Sequence, residues 1–209
     1  RIHHTLGEQV KLIFIFRNPV SRAYSHYLMS QRKGFEDHSF EEAIAAEQER
    51  LKSKPEQKFN FSYFSRGLYA EQVNRFKKFF REENMLFLVF EDDFIKNRKE
   101  TFDRIQDFLG VKRMALNLQI KSNEAAAPKN KAIHDLTRKK NPLRNLLAKI
   151  IPSGARKQLQ RFIAGKNAKA VEQPRLDKSK EQELIHQYFI SDIKDLEKLI
   201  HRDLHTWYS

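Results

Sequence analysis

Hydrophobic positions fall along this chain in two ways. Two short runs are continuously apolar: Leu12-Ile13-Phe14-Ile15-Phe16 and Met85-Leu86-Phe87-Leu88-Val89-Phe90. A strand covered on both faces shows this continuity, whereas a half-exposed strand alternates, so both runs read as buried parallel strands. Elsewhere apolar residues recur at three- and four-residue intervals, the spacing of helices with one buried face.

Arg17-Asn18-Pro19 follows the first run directly. Asn is a good N-cap, and Pro suits the first helical position, where its missing N–H costs nothing. The pattern predicts a helix from Pro19 to about Gln31, ending before Gly34. Ser39-Phe40-Glu41-Glu42 is a capping-box pattern and predicts a helix through about Leu51. The polar segment from Lys52 to Phe61, with Pro55, reads as a loop. Leu68, Val73, Phe76 and Phe80 predict a helix over 66–80. Phe102, Ile105, Phe108 and Leu109 predict another, with Gly110 as its left-handed cap. Residues 111–133 read as irregular, and short basic helices punctuated by Pro142, Pro152 and Gly154 follow. Lys178 to about Arg202 reads as one long amphipathic helix, with Trp207 packed near its end.

This order implies an α/β sheet with helices on both faces. Two strands are too few for such a sheet, and the others are expected upstream of Arg1. The length of 209 residues suits one domain, 1–209. Within it we expect an α/β core (1–110), a basic loop and helical region (111–175) and a C-terminal helix packed on the core (176–209).

Composition narrows the classes. Without Cys, disulfides, thiolate metal sites and a Cys nucleophile are excluded, which favours a cytoplasmic setting. No apolar run reaches membrane-spanning length, and the polar start shows no signal peptide. The first residue is not Met, so the chain is expected to begin inside a longer protein. Net charge is +13, and it is concentrated: between Lys129 and Lys169 twelve Lys or Arg face one acid, Asp135. That stretch holds a single aromatic, Phe162, too few for the base-stacking platforms of nucleic-acid binding. An acidic glycan or an anionic membrane surface fits it better, and so does a merely solvated face.

The first strand delivers Arg17 to its carboxyl end, the crevice where open α/β sheets bind ligands. A helix N-terminus there offers free N–H groups and partial positive charge. Arg17 adds a fork that fits phosphate. Arg22 lies one turn into the helix and Ser25 two. An anion site is the physical reading; the plain alternative is a helix start with Arg17 in a surface ion pair.

The string from Arg17 to Tyr27, Arg-Asn-Pro-Val-Ser-Arg-Ala-Tyr-Ser-His-Tyr, resembles the 3′-phosphate motif of sulfotransferases that use 3′-phosphoadenosine 5′-phosphosulfate. The resemblance is to the bacterial and heparan-sulfate-like branch. Gly67-Leu68-Tyr69, the strand ending at Phe90-Glu91-Asp92, Phe108-Leu109-Gly110, and Asp203-Leu204-His205-Thr206-Trp207 match further segments in order. The family implies a P-loop-like parallel sheet flanked by helices, here partial, with its N-terminal strands missing. It implies that Arg17 and Ser25 hold the donor's 3′-phosphate. Lys129, after Pro128, falls in the loop that closes over the donor, where the family often has Arg. It further implies transfer of a sulfuryl group to a hydroxyl or amine of a carbohydrate-like acceptor, with adenosine 3′,5′-bisphosphate as product and no metal. The family's Gly-rich, Lys-bearing loop for the 5′-phosphosulfate and its usual catalytic acid have no counterpart in these residues, so the catalytic groups are expected upstream of Arg1.

Other candidates carry competing readings. Arg66 and Tyr69 open a helix beside the crevice, either to contact an acceptor or the adenine, or as a solvated Arg and a core-edge Tyr. His3 and His4 have the chemistry of a general base, and equally that of solvated residues near a strand start. Glu91, Asp92 and Asp93 end a strand where catalytic carboxylates often sit, yet pairing with Arg or capping the next helix explains them more simply. The basic stretch also supports a non-enzymatic reading, a polyanion- or membrane-binding module. A phosphotransferase on the same architecture is a third reading.

Overall fold

In the computed structural model the two apolar runs lie side by side. The structure describes residues 2–115, 117–118, 126–128, 168–170 and 174–209. β1 (Leu12–Phe16) and β2 (Met85–Val89) pair in parallel, in register from Leu12 opposite Met85 to Phe16 opposite Val89. A short helix, α1 (Ile2–Leu6), precedes them. Phe14, Phe16 and Phe87 stack on one face, with Phe14 edge-on to Phe76 at 5.1 Å. The other face departs from the buried strand expected over β1. Ile13 and Ile15 are 37% and 54% exposed, whereas Leu88, paired with Ile15 on that face, is fully buried.

α2 (Pro19–Arg32) starts as the sequence predicts. The Asn18 side chain accepts from the N–H groups of Val20 and Ser21, both at 3.0 Å. The capping box is present too, with Ser39 and Glu42 exchanging hydrogen bonds. That helix, however, is two pieces, α3 (Phe40–Ala45) and α4 (Glu47–Ser53), hinged at Ala46. The hinge accompanies an inward Glu47, whose carboxylate accepts from the buried N–H groups of Phe64 and Ser65. The segment expected as loop contains a 3-10 turn, Pro55–Gln57, and a short helix, α5 (Lys58–Phe61), held down by buried Phe61.

The next helix, α6 (Tyr69–Lys77), starts three residues later than its periodicity suggests, after a 3-10 turn at Ser65–Gly67. Its cap comes from elsewhere: the Asp192 carboxylate accepts from the N–H of Tyr69 at 2.7 Å and of Ala70 at 3.2 Å. After β2 the chain makes a wide turn, Phe90–Lys96, around buried Asp93, which accepts from Val89 N–H and pairs with Arg104 and Arg202. α7 (Arg98–Leu109) ends at Gly110, left-handed at φ 75° as expected.

β3 (Ala126–Pro128) and β4 (Ala168–Ala170) pair antiparallel, inside segments read as irregular or as short helices. The long C-terminal helix is also two, α8 (Lys178–Tyr188) and α9 (Ile190–Ile200). The break at Phe189 drives that ring into the core, 1% exposed and 4.9 Å from Phe64. α9 lies along α6. Val20, Tyr69, Val73, Ile185, Ile193, Leu196 and Trp207 close the core between α2, α6 and this pair. No helix among the described residues is long and apolar enough to cross a membrane.

A buried ion pair organises the α2–α5 layer. The Glu36 carboxylate takes both arms of the Arg50 fork, at 2.5 and 3.1 Å, and the Tyr63 hydroxyl at 2.9 Å. Burial pulls the Glu36 carboxyl up, but these bonds and the His38 N–H outweigh it and leave it below the ordinary range. The stabilisation is therefore complete above the unfolded value, about 4.3, and is lost as pH falls through the lower folded value. We expect Glu36→Gln to cost about 3–5 kcal/mol near neutral pH, by leaving Arg50 uncompensated. The difference from wild type should shrink on acidification below about pH 4. Urea unfolding as a function of pH measures both.

Candidate functional site

Arg17 emerges where β1 ends and α2 begins, as the strand–helix junction requires. Its side chain is 39% exposed, with Nε 4.0 Å from Glu91 Oε1 and the guanidinium 5.3 Å from the centre of the Phe90 ring. Glu91 is itself fixed. It accepts from Asn18 N–H at 3.2 Å and from Trp207 Nε1 at 3.3 Å. The strand-end carboxylate thus pairs with an Arg, the simpler of its two readings. Asp92 bonds Lys96, and Asp93 is buried in its ion pairs.

The helix N-terminus differs from expectation. Asn18 Oδ1 occupies the N–H groups of Val20 and Ser21, Pro19 has none, and Arg22 N–H bonds the Asn18 carbonyl. The donors that α2 was expected to offer an anion are already satisfied. The charge available at this junction is the Arg17 side chain.

Tyr69 supports it from below. The ring is 7% exposed, and its hydroxyl donates to the Arg17 carbonyl at 3.0 Å. Burial pushes its phenol up to about 12, so it is a neutral donor. This geometry matches the core-edge reading of Tyr69. Ser25 lies two turns along α2, partly exposed, with no hydrogen-bond partner among the described residues. No direct bond joins it to Arg17. Ser21, on the same face, donates to Glu181 at 2.5 Å. Arg66 sits in the turn before α6, half-buried over Phe59. Lys129 and the basic stretch 129–169, apart from Ala168 and Lys169 in β4, lie outside the described residues. His3 packs against Phe79 and Phe80 beyond the amino end of β1, a strand's length from Arg17, and is poorly placed as a base there.

Sequence reasoning missed the supports: Trp207 as a donor to Glu91, Asp192 as the cap above Tyr69, and the interior course of Arg22. The Arg22 fork donates to the Tyr63 carbonyl, and burial lowers its affinity for its proton. The only sequence signal for Arg22 was its helical position beside Ser21 and Ser25. A cleft of about 340 Å³ opens between α3, α4 and the end of α8, lined by Ile44, Glu47, Leu51, Phe64, Leu68 and Tyr188. Its lining includes neither Arg17 nor Ser25. Among the described residues no group of three or more His, Cys, Asp or Glu is placed to hold a metal ion.

The geometry is that of a parallel α/β core with a supported Arg at the carboxyl end of its strand, and comparison with known proteins places it in a family. A family model described as "Sulfotransferase domain" matches residues 3–173, and the chain belongs to that family. The crystal structure of a sulfotransferase from Alicyclobacillus acidocaldarius superposes with a TM-score of 0.59 at 24% identity, over 95% of this chain and 57% of that one. The fold is thus sulfotransferase-like, and the chain spans little more than half the length of that relative. No curated protein matches the chain.

Gly67 sits where the site meets the core. A Cβ there would fall 2.8 Å from the Phe189 ring and 3.0 Å from Pro19. Gly67→Ala should therefore lower stability by about 1–3 kcal/mol through overpacking at the start of α2, read as a drop in the thermal unfolding midpoint.

Proposed function

We propose that this chain carries the 3′-phosphate half of a sulfuryl-transfer site that uses 3′-phosphoadenosine 5′-phosphosulfate. The observation that carries the reading is Arg17, half-exposed at the carboxyl end of β1, with Phe90 against its guanidinium and Glu91 beside Nε. Held in that way, its remaining N–H groups are pre-oriented for a phosphate, and less rotamer freedom is lost on binding. Ser25 adds a hydroxyl donor whose side chain keeps no hydrogen-bond partner among the described residues. Lys129 contributes a point charge over the bound nucleotide.

In the transfer itself, an acceptor hydroxyl or amine gives its proton to a base and attacks sulfur. The bond from sulfur to the donor's phosphate oxygen breaks, and adenosine 3′,5′-bisphosphate leaves with that electron pair. Such a reaction depends mostly on positioning and on neutralising charge. These residues supply the positioning at the 3′ end. Family membership supports the transferase class, and the Arg17–Tyr27 string supports this donor. A carbohydrate-like acceptor is the reading favoured by resemblance to the heparan-sulfate-like branch.

Calorimetric titration of the whole protein with adenosine 3′,5′-bisphosphate tests this. Arg17→Ala should weaken binding by about 1.5–3 kcal/mol, the worth of a charge-assisted hydrogen bond, and Ser25→Ala by about 0.5–1.5 kcal/mol. Unchanged affinity in Arg17→Ala would overturn the reading. Salt-dependent polyanion binding that survives Arg17→Ala but needs residues 129–169 would favour the non-enzymatic alternative.

A further inference from the structure

The turn that leads into α6 carries a guanidinium without a counter-charge. Arg66 lies over the Phe59 ring, 5.2 Å from its centre, and among the described residues no carboxylate pairs with it. Phe59 is 78% exposed, so its ring and the guanidinium are both within reach of a ligand from solvent. Behind this pair stand Arg22 and His26, one turn apart on α2. Arg22 bonds the Tyr63 carbonyl, yet its Nε is buried without a hydrogen-bond partner among the described residues. His26 Nε2 meets the Phe59 carbonyl at 3.0 Å, and its Nδ1 is likewise buried and unpartnered.

Two guanidinium groups and an imidazole lie close together here. Burial works most strongly against the Arg22 charge, Tyr69 and Glu47 favour it, and Arg66 opposes it; burial with Arg22 and Arg66 holds His26 toward its neutral form. Glu47 is the carboxylate felt by Arg22, at a distance, since its oxygens bond the N–H groups of Phe64 and Ser65 and not a guanidinium. Low-dielectric surroundings make an uncompensated cation costly, and an incoming anion relieves that cost. The cluster is one side chain from Arg17, since Tyr69 meets both the Arg17 carbonyl and the Arg22 side chain.

We propose that Arg66 and Phe59 form a second subsite, which takes an oxyanion substituent (sulfate or carboxylate) of the acceptor, with the ring that bears it resting on Phe59 and Arg22 supplying charge from behind. The acceptor assignment rests on the reading of Arg17 as the donor site. It implies an acceptor that already carries negative charge.

The test uses the whole protein with ¹⁵N-labelled arginine side chains, saturated with adenosine 3′,5′-bisphosphate. It is titrated with inorganic sulfate, then with a monosulfated disaccharide and its unsulfated counterpart. We expect sulfate to move the Arg66 and Arg22 Nε signals saturably. The monosulfated disaccharide should bind at least about tenfold more tightly than the unsulfated one, a difference of about 1.4 kcal/mol. Arg66→Gln should abolish that preference, with Arg66→Lys restoring part of it at a matched unfolding midpoint. Phe59→Ala should remove the disaccharide's advantage over inorganic sulfate while leaving the sulfate response. Equal binding of the two disaccharides, or a response unchanged in Arg66→Gln, overturns the subsite. A sulfate response with no disaccharide advantage reduces it to a free-anion site and overturns the acceptor role. If the nucleotide fails to bind, the donor reading falls instead, and the sulfate titration still decides whether Arg66 binds an anion.

Discussion

The N–H groups that open α6 are buried, and the carboxylate that satisfies them, Asp192, is 123 residues away along the chain. Unpaired buried donors are expensive, so α6 can form in place only when α9 is docked against it. The consequences run outward from that contact. α6 fixes Tyr69, Tyr69 bonds the carbonyl of Arg17, and Arg17 is thereby set at the end of β1. Burial raises the Asp192 carboxyl even as Tyr69 and Ala70 bond its charged form. The joint is strong through its geometry, in spite of the cost of ionising it there.

The same device recurs. Glu47 holds the turn at Phe64 and Ser65, Glu36 holds Arg50 and Tyr63, and Asp93 shapes the turn after β2. In each case a carboxylate inside the protein serves backbone N–H groups or cations from other segments. The layers are therefore joined by directional bonds as well as by apolar contact, which suits a fold whose described sheet is only two strands wide.

This explains what the sequence made legible. Local signals were read correctly: the Asn18-Pro19 start, the Ser39 capping box, the Gly110 stop and both strand runs. Each depends on residues a few positions apart. The errors arose where a distant partner decided the outcome. The start of α6 waited on Asp192, the hinge at Ala46 accompanied an inward Glu47, and the C-terminal helix broke to bury Phe189. None of these leaves a mark in local periodicity. At the site, Arg17 was visible because strand, cap and cation are consecutive. The supports from Glu91, Trp207 and Tyr69 come from three other segments and appear only once the chain is folded.

Because Asn18 satisfies the first N–H groups of α2, recognition at this junction is entrusted to a side chain rather than to fixed backbone. A backbone cradle accepts whatever shape its loop dictates and can be retuned only by rebuilding the loop. An arginine held between the residues at 90 and 91 can be re-aimed by changing either neighbour, with strand and helix left as they are. The junction is thus a place where ligand preference can drift by single substitutions while the fold that carries it stays the same.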